Sequence, residues 1–80
     1  MVLLDCPAAS VWQVEALNLP LELGRRLEAL GMIPGSRVAV LRKKRRGAMI
    51  ITVRGTRFAV GQDIAAHITV KEEGGPRHAP

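Results

Sequence analysis

Leu21-Glu22-Leu23-Gly24-Arg25-Arg26-Leu27-Glu28-Ala29-Leu30-Gly31-Met32-Ile33-Pro34-Gly35 encodes a helix, its stop and the turn that follows. Leu23, Leu27 and Leu30 fall at i, i+4 and i+7 and so share one helical face, which we assign to the core. Gly31 ends the helix, because glycine accepts the left-handed backbone of a C-terminal cap, and Met32 can then fold back onto Leu27. Pro34 supplies the fixed φ of the first central turn position and Gly35 the positive φ of the second, so the chain reverses and enters a strand at Ser36.

Upstream, Trp12, Val14 and Ala16 alternate with Gln13 and Glu15, the period of a strand with one buried face. Pro20 suits the first helical turn, where its missing N–H has no partner, so the helix is placed over residues 20–30. Downstream, Val38 and Val40 belong to a second strand and Met49, Ile51 and Val53 to a third, with residues 42–47 as the exposed tip of the hairpin between them. Gly55-Thr56 reads as a type II′ turn into a fourth strand over residues 57–60. Asp63 is expected to cap a single helical turn before a closing strand over residues 68–70. Five short strands and one helix between the first two make a mainly β fold, a small and partly open barrel over residues 1–70. Residues 71–80 have nothing to bury and are expected to be a disordered tail.

With 80 residues, 48% of them hydrophobic and only Trp12 and Phe58 aromatic, the core must be built from aliphatic side chains. The lack of aromatics argues against a stacking surface for single-stranded nucleic acid. The single cysteine, Cys6, cannot form an internal disulfide and is read as a small buried apolar group in a reducing compartment, the cytoplasm. Net charge is +5, and Arg42-Lys43-Lys44-Arg45-Arg46 alone accounts for five cations, which leaves the rest of the chain balanced. The basic character therefore reads as one local patch.

Arg26-Leu27, Leu30-Gly31-Met32, Pro34-Gly35, the Val38–Val40 pair, Val53-Arg54-Gly55, and Ala65 with Ile68 and Val70 together resemble the FeoA family of bacterial ferrous iron uptake. The resemblance implies an SH3-like barrel and a role beside the membrane transporter FeoB, whose cytosolic part is a GTPase. Two departures stand out: the basic run replaces a short loop that often contains Pro and Gly, and Pro7-Ala8-Ala9-Ser10 stands where glycine is usual.

No nucleophile paired with a base, no paired carboxylates and no phosphate-binding glycine loop is present, so we assign no catalytic residue and no cofactor. Asp63 and His67 stand four apart, but two ligands fall short of an iron or zinc site, so no metal ligand is assigned either. The candidate partner-binding residues are Arg42, Lys43, Lys44, Arg45, Arg46 and a half-exposed Trp12. The basic run would meet an acidic face of the FeoB GTPase domain or anionic lipid at the inner face of the membrane, where clustered Lys and Arg gain about 1 kcal/mol each. Two other readings are a barrel that holds nucleic-acid phosphates with the same hairpin, and a detached relative of the domain that ends some metal-dependent repressors. The open barrel edges also offer a seam for weak pairing with a second copy.

Overall fold

The computed structural model describes residues 1–72. A single 3-10 turn, Leu3–Asp5, leads into strand β1 (Ser10–Leu17), helix α1 (Leu21–Ala29), β2 (Arg37–Lys43), β3 (Met49–Val53), β4 (Thr56–Val60), the short helix α2 (Gln62–Ala65) and β5 (Ile68–Glu72). The strands form one antiparallel sheet in the order β4-β3-β2-β1-β5. Curvature comes from two register shifts, one between Val14 and Ala16 and the other between Val40 and Arg42.

Alternation decides what is buried. Val38, Val40, Met49, Ile51, Val53, Val60, Ile68 and Val70 point inward, and Leu3, Cys6, Leu27, Met32 and Ala65 close the ends of the core. The β5 edge is covered by the chain's own start: Val2 bridges Thr69, and the Val70 N–H donates to Met1 O at 2.7 Å. Lys71 and Glu72 lie in β5 opposite Gln13 and Trp12, so the strand outruns the expected boundary at residue 70. The remainder of the expected tail, residues 73–80, lies outside the described residues.

Helix α1 ends as its glycine dictates. The Met32 N–H donates to Leu27 O at 3.0 Å and the Gly31 N–H to Glu28 O at 2.8 Å, the paired bonds of a Schellman ending, with Gly31 at φ +102°. Leu27 and Met32 are both buried. Leu30 is not: it is 39% exposed, because the last helical residue is Ala29 and the fold-back carries Met32 into the core in its place. The turn at Pro34-Gly35 is as expected, with Gly35 at φ +96° and the Ser36 N–H donating to Ile33 O at 2.9 Å. The buried Ser36 hydroxyl ties the two features together by donating to Gly31 O at 2.8 Å.

The turn between β3 and β4 differs from the expected type. Val53 pairs with Thr56, and Arg54 and Gly55 have φ of +50° and +84°, so the central residues are Arg54-Gly55 in a type I′ turn. Arginine in this conformation is strained, and its stem is held by packing: a Cβ added to Gly31 would lie 2.8 Å from Arg54 Cδ. The two sequence motifs around Gly31 and Arg54 therefore meet in space. A second strained residue is Ala9, at φ +64°.

These positions set two opposite expectations. Gly31→Ala meets both a positive φ and the Arg54 stem and should cost about 2 kcal/mol, whereas Ala9→Gly relieves strain and should add about 1 kcal/mol. Urea denaturation of both variants checks the signs; equal midpoints would mean that neither backbone is strained.

Candidate functional site

The basic run is divided between two elements. Arg42 and Lys43 belong to β2, opposite Ile50 and Met49, rather than to the hairpin tip as expected, because the register shift at Leu41 lets pairing resume beyond it. Lys44, Arg45 and Arg46 form the tip, which is closed by the Lys44 N–H donating to Ala48 O at 2.7 Å. All five side chains are exposed. The Lys43 ammonium also has a structural bond, donating to Leu4 O at 3.0 Å. Arg46 and Gly47 take φ of +65° and +81° and lay the tip against α2, where a Cβ on Gly47 would stand 2.6 Å from Gln62 Oε1.

The sheet enlarges the patch beyond those five. Eight of the chain's twelve Lys and Arg residues and none of its seven Asp and Glu residues fall between positions 37 and 60, the span of β2, β3 and β4. Four cations against seven anions make the rest of the chain net negative. The basic patch expected at the loop thus extends over the whole β2–β4 meander. Arg37, Arg54 and Arg57 were the residues missed. Arg37 and Arg54 flank a cleft floored by Ala39 and Thr52, and Arg57 lies across from Thr52 on the same outer face. The signal was readable as an acid-free run from residue 29 to residue 62, once the strands were paired.

Trp12 is half-buried against the core, as expected, and its indole N–H donates to Ser10 Oγ at 2.7 Å. It sits in β1, opposite Val38 and Glu72, away from the hairpin tip. Asp63 does not cap α2: Gly61 holds the N-cap position, and Asp63 lies inside the first turn. His67 Nδ1 stands 2.8 Å from the backbone oxygen of Asp63, not its carboxylate. Among the described residues no three His, Cys, Asp or Glu side chains group as metal ligands. Nor does any helix among them have the length and apolarity to cross a membrane.

A small five-stranded barrel with a helix inserted between its first two strands is a member of the SH3-like class. The FeoA domain model matches residues 1–72, and the chain belongs to the FeoA family. The solution structure of FeoA from Chlorobium tepidum superposes with a TM-score of 0.87 at 25% identity, covering 99% of this chain and 76% of that one. A crystal structure of Stenotrophomonas maltophilia FeoA with zinc gives a TM-score of 0.76 at 29% identity and 89% coverage of both chains. That protein is described as a prokaryotic SH3 domain and proposed as an activating factor of ferrous iron transport. A manganese-dependent transcriptional repressor shares the fold, with a TM-score of 0.82 at 19% identity over 91% of this chain and 41% of its own. No curated protein matches the chain.

Cys6 is buried, as expected, and burial raises its thiol pKa above the ordinary value, outweighing the opposing pull of Lys43. The folded state therefore favours the protonated thiol. As pH rises past about 8.5, the unfolded chain loses that proton first, so the contribution is intact below this pH and is lost above it. Cys6→Ala should lower stability through lost packing yet flatten the alkaline decline, which urea denaturation from about pH 7 to pH 10 would reveal.

Proposed function

We propose that this chain is a non-enzymatic accessory protein of bacterial ferrous iron uptake that binds the cytosolic GTPase part of the membrane transporter FeoB and modulates it. Family membership supplies the process. The observation that carries the contact is the polarised sheet, with eight cations and no anion over residues 37–60. Such a face steers an acidic partner toward the barrel and loses strength as salt rises. Lys44, Arg45 and Arg46 are exposed at the hairpin tip and are the first contacts; Lys43 has a structural bond as well, and Trp12 offers a separate half-buried surface. The protein works in the cytoplasm, beside the inner face of the membrane where its transporter lies.

Deleting the gene should impair ferrous uptake in cells that retain the transporter. Replacing Lys44, Arg45 and Arg46 by Ser should weaken binding to the transporter's purified cytosolic part by about tenfold at low salt. Anionic vesicles and a generic DNA duplex are the comparison arms. Unchanged affinity for the transporter domain, or tighter binding to the duplex at physiological salt, overturns the reading.

A further inference from the structure

The sheet has two outer strands, and the fold treats them differently. Met1 and Val2 line β5. Beyond the β3 ladder, no backbone hydrogen bond engages residues 56–60 among the described residues. The two-residue turn determines which groups are left over. Val53 and Thr56 close it as a hydrogen-bonded pair, so Ile51 with Phe58 and Met49 with Val60 are hydrogen-bonded in alternation. Arg57 and Ala59 fall between them and direct their N–H and C=O groups away from β3. Two donors and two acceptors thus line the open edge.

The side chains along this edge define what fits it. Arg57 and Ala59 are exposed on the outer face, while Val60 is buried and Phe58 half-buried on the other. Ala59 is small enough to let a main chain approach. Arg57 is the first outward-facing residue of the edge, and the Arg54 stem is anchored over Gly31 at its beginning. A second copy would bring another Arg57 and another acid-free face to the same seam, so like charge discourages pairing of the chain with itself. An oppositely charged strand meets no such barrier.

We infer that the outer edge of β4 takes an extended acidic segment of a partner protein as a sixth strand, its main chain pairing with Arg57 and Ala59 and its carboxylates meeting Arg57 and Arg54. Strand addition draws affinity from the main chain and selectivity from alternate side chains. Acidic residues at every second position of the segment place their carboxylates on the arginine face. The inference goes beyond the transporter reading and does not require it.

The probe is a short capped peptide alternating Glu and Val, compared with its Lys-for-Glu counterpart, added to the isotope-labelled chain. The acidic peptide should slow amide exchange at Arg57 and Ala59 by about tenfold, and the basic one should leave it unchanged. Ala59→Pro removes one outward donor without touching the β3 ladder and should abolish binding with the fold intact by circular dichroism. Arg57→Glu should weaken the acidic peptide about tenfold and admit the basic one. Equal binding of both peptides, protection centred away from β4, or Arg57→Glu binding the acidic peptide like the parent overturns the inference. So does a peptide-free dimer, in sedimentation, that Ala59→Pro dissolves.

Discussion

The arrangement depends on what is missing at Gly31. With no side chain there, the chain can turn left-handed out of α1, Met32 can enter the core, and the stem of Arg54 can cross the gap from the far turn. These three events tie the helix to the β3–β4 hairpin. The link is local at one end and long-range at the other, so it fixes where the helix lies on the barrel as well as where it stops. The Ser36 hydroxyl, bonded to Gly31 O, extends the link into the start of β2.

The polarised charge follows from the same topology. β2, β3 and β4 form a continuous meander whose inner side is apolar and whose outer side has arginines and no carboxylates. The described carboxylates lie outside the meander, in the Leu3–Asp5 turn, β1, the two helices and β5, and Asp63 faces Arg46 across a shared cleft. A barrel so divided presents itself to a charged partner in a preferred orientation before any contact is made. Binding on such an exterior needs no interior cavity, which suits a chain whose core is closed by fourteen buried apolar side chains.

Much of this architecture was legible in the sequence. Period-two alternation identified the inward residues of β2 and β3, and the glycine-proline punctuation gave the end of α1 and the turn after it. What escaped had identifiable physical causes. Leu30 kept the helical period but fell one residue past the last helical one, so it faces water. The turn at Arg54-Gly55 was misread because arginine rarely takes positive φ, and only the distant Gly31 makes room for it. Asp63 looked like a cap by residue type, yet Gly61 begins α2 two positions earlier. For the surface, counting charges along the chain found the five consecutive cations but not Arg37, Arg54 and Arg57, which become neighbours only when three strands are laid side by side.

The chain's first residue turns out to belong to the framework. Val70 is 1% exposed, and its amide has Met1 O as acceptor. Removing residue 1 would strand that amide without a mate, a loss of about 1–3 kcal/mol. The cost would fall on the strand that seals the barrel, so a change at this outermost residue acts as a core substitution does elsewhere.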